Sequence, residues 1–234
     1  MTTNNLLNPN GINHLAISTA DMKGVLQYFN EVLGMPLAAL YWMHGAENTM
    51  HGFLKLNASS LLAFVFSPEN AKEVEIGRTH PGNPSAPSTK GTMQHLAFNV
   101  DCVDDLLALR DRIRAHGIHC MGPADHGYAQ SIYFAGPEGV SLEVCTLVGS
   151  DITKWIDPEV LAELNINNEE LLNLQNPKAF IRPDTPVPQP SLSDAKDYKM
   201  AFPEEVYNQF MSLSDEQFME ITREVAPESI QKNL

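Results

Sequence analysis

Two histidines and one glutamate stand in settings that suit metal ligation. Ile12-Asn-His14-Leu-Ala-Ile-Ser18 and Met93-Gln-His95-Leu-Ala-Phe-Asn99 are near copies, each carrying His-Leu-Ala, with the histidines 81 residues apart. Strand alternation puts each imidazole on a face with small residues (Ala16 and Ser18; Ala97 and Asn99) and the apolar residues on the other (Leu15, Ile17; Leu96, Phe98, Val100). A single strand histidine is more often a hydrogen-bonded core residue than a ligand. The recurrence in two equivalent stretches favours a shared task.

The third residue lies in the stretch from His126 to Thr146. Apolar runs at 131–135 and 140–147 flank Gly136-Pro137-Glu138-Gly139, which reads as a hairpin turn because glycine accepts positive φ and proline presets its own. In the second run Ser141, Glu143 and Cys145 share one face, and Leu142, Val144 and Thr146 the other. A carboxylate among small neighbours is poorly placed for solvation, and a buried charge is costly unless paired or bound to a metal. One reading of Glu143 is a salt-bridged or hydrated edge-strand residue. Taken with the two histidines, the other reading gains weight: a divalent metal held by His14, His95 and Glu143.

These residues need a scaffold that repeats, and the chain supplies one. A strand at 12–18 leads to a helix that Asp21 can cap, with Met22, Val25, Leu26, Phe29, Val32 and Leu33 at helical spacing and Gly34 at its end. Extended segments follow near 37–44, 50–56 and 60–66. The second unit has a strand at 93–100, a helix near 103–115 with Asp101 as candidate cap, and strands near 118–124, 130–135 and 140–147. The order is βαβββ twice, over about 12–66 and 93–147. The expectation is an α+β fold of paired modules in a U-shaped open barrel around a metal, forming a domain over 1–150.

The connection at 67–92 is long and rich in proline, glycine and serine, with His80 at its centre; such loops are commonly functional. Residues 151–234 read as a mostly helical extension. Short helices are expected at 158–164 and 168–175, then a proline-rich linker (Pro177, Pro183, Pro186, Pro188, Pro190). Two helices follow, one opening at Pro203 and one capped by Ser214 with Gln217 in capping-box register. Phe210, Leu213, Phe218 and Ile221 give that end an amphipathic face.

Composition narrows the partners. A net charge of −14 argues against nucleic acid and against an anionic membrane surface. No run is long enough to span a membrane, and Met1–Leu7 lack a basic-then-apolar leader. Three cysteines without a Cys-x-x-Cys pair suit free thiols in a cytoplasmic setting.

On these residues the chain resembles the vicinal-oxygen-chelate superfamily, which includes glyoxalase I, bleomycin and fosfomycin resistance proteins, methylmalonyl-CoA epimerase and extradiol dioxygenases. The resemblance covers 12–147 and implies ligands on first and last module strands, here His14, His95 and Glu143. The last strand of the first unit, Leu61-Leu-Ala-Phe-Val-Phe66, carries no carboxylate, whereas glyoxalase I normally supplies a fourth ligand there. His126, Tyr133, Pro137, Gly139 and Glu143 are similar to the extradiol signature, from which Gly136 and Ala124 depart. His80 falls where single-domain type I extradiol enzymes keep a catalytic histidine.

The resemblance implies an Fe(II)-dependent ring-cleavage dioxygenase acting on a catechol-like aromatic with O2. Two histidines and a carboxylate suit non-haem Fe(II), with Mn(II), Ni(II) or Zn(II) as alternatives. His80 would act as base, and His126 and Tyr133 would bind substrate oxygens and pass protons. His126 could instead cap its turn, and Tyr133 could be a core ring with a satisfied hydroxyl. A glyoxalase-like isomerase or lyase, a ligand-binding resistance protein and a homo-oligomeric assembly stay open.

Overall fold

The computed structural model describes residues 8–71, 73–196 and 198–227. The reading of Met1–Leu7 lies outside them. The first module comprises β1 (His14–Thr19), α1 (Met22–Leu33), β2 (Leu37–Trp42), β3 (Met50–Lys55) and β4 (Leu61–Phe66). The second comprises β5 (Leu96–Asn99), α2 (Val103–Ala115), β6 (Cys120–Asp125), β7 (Ala129–Ala135) and β8 (Ser141–Leu147). The chain has the α+β fold of paired βαβββ modules. Each module forms its own four-stranded sheet, ordered β1-β4-β3-β2 and β5-β8-β7-β6, with the first and last strands parallel and the rest antiparallel. Neither sheet closes into a barrel.

Local chemistry sets these elements. The Asp21 carboxylate accepts the Gly24 N–H and starts α1, and Gly34 ends it at φ 74°, in the left-handed region that glycine enters without penalty. Gly52 on β3 lets α1 sit close: a β-carbon there would come within 2.8 Å of the Met22 sulfur. Helix α2 departs from expectation at its start. Its N-cap is Cys102, not Asp101, and no side chain caps it. Asp104 and Asp105 in the first turn, with Arg112 and Arg114 in the last, complement the helix dipole instead.

The helix-facing sides of both sheets share one core. Phe29 of α1 lies 5.2 Å from Phe64 of β4 and 6.4 Å from Phe98 of β5, ring centre to ring centre, and is buried with Leu106, Ile113, Ile132, Leu142 and Val144. Burying a side chain of this size contributes about 2–3 kcal/mol. Polar clasps join the modules at the rim of that core. The Tyr28 hydroxyl donates to the Ala135 carbonyl at 2.7 Å, Arg112 Nη2 donates to the Glu31 carbonyl at 2.8 Å, and the Ala20 N–H donates to Glu138 Oε1 at 2.7 Å. Glu138 sits at φ 54° in the tight turn at 136–139. A non-glycine residue there costs about 1–2 kcal/mol, which its bond to Ala20 helps offset.

Beyond the modules lie α3 (Pro158–Glu163), α4 (Asn168–Gln175), α5 (Glu204–Ser212) and α6 (Asp215–Ile221), with the proline-rich run between α4 and α5 lacking regular structure. Helix α6 opens with the expected capping box, Ser214 with Gln217, and α5 starts after Pro203. Phe210 joins these helices, 5.7 Å from Phe218 and 5.5 Å from Phe202. Among the described residues no helix is long and apolar enough to cross a membrane.

Candidate metal centre

Alternation works as the sequence implied, because one face of each sheet is spent on the core. On β8, Leu142, Val144 and Thr146 are buried toward α2, which turns Ser141, Glu143 and Cys145 to the opposite face. Ala97 pairs with Glu143 on one side, and Tyr133 pairs with it on the other. His95 precedes β5, and its Nε2 lies 2.9 Å from Glu143 Oε2. The Glu143 residue is 7% exposed.

A chain of polar groups continues from that pair. The Tyr133 hydroxyl neighbours the Glu143 carboxylate and shares a 2.8 Å hydrogen bond with His126 Nε2. Burial first, and the Glu143 charge after it, push the Tyr133 phenol above its ordinary value, with Ser131 opposing. The Cys145 thiol is raised by the same two causes in the same order. Both groups are therefore held protonated beside the carboxylate. His126 is positioned by a tight turn, its N–H donating to the Ala129 carbonyl, and Trp155 packs over neighbouring Tyr128 at 5.2 Å.

The structure thus gathers His95, Glu143, Tyr133 and His126 on one sheet. His14 is placed apart from them, on the exposed face of β1 with Ala16 and Ser18. Its Nδ1 is 2.8 Å from Asn13 Oδ1, and its ring meets Phe53 at 5.6 Å and His51 at 6.4 Å. Among the described residues, no group of three His, Cys, Asp or Glu side chains is clustered to hold a metal ion. His80 lies on the 67–92 connection, its Nδ1 2.9 Å from Thr79 Oγ1 and its ring beside Gly139. Ile76 and Pro84 of the same connection, with Met121, Tyr133, Val140 and Ser141, line a cavity of about 330 Å³.

Sequence reasoning assigned no role to His51, and it could have done so. Alternation along β3 puts His51 and Phe53 opposite Gly52 and Leu54, on the side shared with His14. Burial, then the His14 charge, lower the His51 pKa, while Glu224 opposes them; the His51 Nε2 is buried with no hydrogen-bond partner among the described residues. The Glu224 contact had no local signal. This carboxylate, just past α6, accepts the His44 N–H at 3.1 Å and lies beside Tyr41.

The donor set suits a divalent cation as far as it is assembled. A carboxylate with little exposure faces an imidazole at a separation that two ligands of one ion can share, and small neighbours (Ala97, Ser131, Cys145) leave room beside it.

The family model for the Glyoxalase/Bleomycin resistance protein/Dioxygenase superfamily matches residues 11–144, and the chain belongs to that superfamily. Members of it bind divalent metals. The chain is also 30% identical over 84 residues to biphenyl-2,3-diol 1,2-dioxygenase 2 of Rhodococcus globerulus. That match covers 36% of this chain and 44% of the relative, so the chain spans less than half the length of the curated protein it matches. Similar solved structures include a glyoxylase/bleomycin resistance protein/dioxygenase domain from Frankia sp. EAN1pec, with TM-score 0.49 and 14% identity over 60% of this chain and 100% of that one. An antibiotic-binding protein from Streptomyces sp. CB03234 has TM-score 0.43 and 16% identity, over 60% and 98%. Lactoylglutathione lyase from Agrobacterium tumefaciens has TM-score 0.42 and 18% identity, over 59% and 94%.

Proposed function

We propose that this chain is an Fe(II)-dependent extradiol-type dioxygenase that opens a catechol-like ring with O2. The observation that carries the reading is the contiguous set His126–Tyr133–Glu143–His95, in which two proton-handling side chains adjoin an imidazole–carboxylate pair. The resemblance to a biphenyl-2,3-diol dioxygenase over part of the chain supports it. So does β4, where the residue in register with Ala16, as Glu143 is with Ala97, is Ala63, leaving three protein ligands rather than four.

His95 and Glu143, with His14, would hold the metal, which when bound would supply Lewis acidity toward a vicinal diol and reactivity toward O2. The protein's own groups do the rest. Tyr133, kept protonated by its surroundings, donates a hydrogen bond to a substrate oxygen. His126 lies behind the phenol, within hydrogen-bonding reach for taking or returning its proton. The cavity beside Tyr133 has room for a single aromatic ring, with Met121 and Val140 as apolar walls. His80, on the connection that flanks this cavity, is the proposed base for the second hydroxyl. Both oxygen atoms of O2 end in the ring-opened product, and no external reductant is consumed.

The test is O2 uptake by protein loaded with fresh Fe(II), across a panel of catechols. Ring-opened product should appear in step with O2 loss. Anaerobic turnover of a non-phenolic substrate with Ni(II), Zn(II) or Mn(II) would replace this reading by an isomerase or lyase.

A further inference from the structure

The turn that carries His126 is held from outside the second module. Gly127, next to His126 in the chain, stands at φ 79°, with its N–H donating to Asp125 Oδ1 at 2.8 Å. Its carbonyl accepts two bonds from beyond β8, the Ser150 N–H and the Ser150 hydroxyl each donating at 3.2 Å. The Trp155 indole Nε1 donates in turn to Ser150 Oγ at 3.0 Å. Indole, hydroxyl and carbonyl thus form a relay in which each bond polarises the next. The Val148 N–H adds a bond to the Tyr128 carbonyl at 2.9 Å.

Packing follows the same path. The Trp155 ring lies edge to face with Tyr128, 5.2 Å between centres. A β-carbon on Gly127 would come within 2.8 Å of the indole, so the ring is seated on bare backbone beside His126. Gly149 allows the close approach from β8, since a β-carbon there would come within 2.7 Å of the Gly127 oxygen. Trp155 arrives at this position because the Asp151 carboxylate accepts the Thr153 N–H and starts a single turn over Ile152–Lys154. The Trp155 side chain remains 56% exposed and takes no part in the core around Phe29, so its contacts serve this turn.

We propose that Trp155 is a positioning residue for the reaction, acting through Ser150 and Gly127 to hold His126 against Tyr133. This rests on the extradiol reading above. On the site side the turn is anchored by His126 Nε2 at 2.8 Å from the Tyr133 hydroxyl and by the His126 N–H on the Ala129 carbonyl. On the far side the anchors are Ser150 and Trp155. Removing the indole takes away one end of the relay and the ring contact together, and the backbone at Gly127 has a glycine's freedom to leave its present conformation. Residues 150–155, which lead into the C-terminal extension, are thereby part of the site.

The test reads geometry and turnover separately. Isotopic nitrogen labelling of histidine in the full chain, without iron, reports the His126 Nε2 resonance by NMR, identified by its absence in His126→Ala. Tyr133→Phe gives its position with the hydrogen bond lost. Trp155→Ala should move the resonance most of the way to that reference, and an unmoved resonance overturns the proposal. In the Fe(II)-loaded enzyme, Trp155→Ala should lower kcat by about 10–10²-fold, with iron content and the KM for catechol unchanged. In the His126→Ala background the same substitution should have no further effect, because it acts through that imidazole. A rise in KM with kcat intact, or an equal loss in both backgrounds, overturns the proposal. A wild type that cleaves no catechol overturns the extradiol reading, and the resonance still decides whether Trp155 holds His126.

Discussion

Tyr133 stands directly across the β7–β8 ladder from Glu143, and His126 meets the same phenol at 2.8 Å. Ladder register fixes the first contact and a tight turn fixes the second, so the phenol is held between a proposed metal ligand and a proton carrier. Tyr133→Phe should keep metal uptake, because the hydroxyl is no ligand in this reading. Turnover should fall by about 10²–10⁴-fold, the worth of a positioned acid–base group. Metal analysis beside steady-state kinetics checks this. Loss of metal together with activity would show that the phenol supports Glu143 rather than the reaction.

His80→Ala should behave similarly for a different reason. The imidazole lies on the 67–92 connection beside Thr79 and Gly139 and is not among the proposed ligands, so the variant should load like wild type. Catechol turnover should drop by about 10²-fold or more. A variant with wild-type kcat would remove His80 from the mechanism.

The order of elements in the second module was legible in the sequence, although β5 begins at Leu96 and leaves His95 outside the strand expected at 93–100. Alternation along 140–147 separated Glu143 from Leu142 and Val144, and the structure buries those two and turns Glu143 to His95. Capping residues located helices as far out as Ser214 and Gln217, because those signals are local. Two features were not local. Which side of each sheet meets the other module depends on how Phe29 packs between Phe64 and Phe98, contacts far apart in the chain. His14 was correctly placed on a face with small neighbours, but no periodicity states what that face will meet. The landing of Glu224 near Tyr41 is likewise a contact between distant segments.

That landing can be tested by titration. The Tyr41 phenol is raised by burial first and then by the charge and hydrogen bond of Glu224, which joins the C-terminal helices to the β2–β3 hairpin. Glu224→Gln removes the charge, so the Tyr41 pKa should move back toward 10 while the phenol stays partly shielded. Phenolate absorbance, with Tyr41→Phe as reference to identify the group, provides the measurement. An unchanged Tyr41 titration would mean that the segment after α6 does not rest on the hairpin in solution.

The clasp between modules should appear in stability at high pH. Burial, and secondarily the Cys120 thiol, push the Tyr28 pKa from 10.0 to about 12, and its hydroxyl donates to the Ala135 carbonyl at 2.7 Å. The folded state therefore favours the neutral phenol more than the unfolded state does. Its stabilising contribution is complete below pH 10 and is lost as the pH rises from 10 toward 12, because only the unfolded chain ionises readily in that window. At pH 8, Tyr28→Phe should lower stability by about 0.5–1.5 kcal/mol for the lost hydrogen bond. Above pH 10 the two proteins should converge, since phenylalanine has no proton to lose. Urea unfolding of both at pH 8 and pH 11 checks the sign. A gap that stays constant across that range would show that Tyr28 is not shielded between α1 and the end of β7.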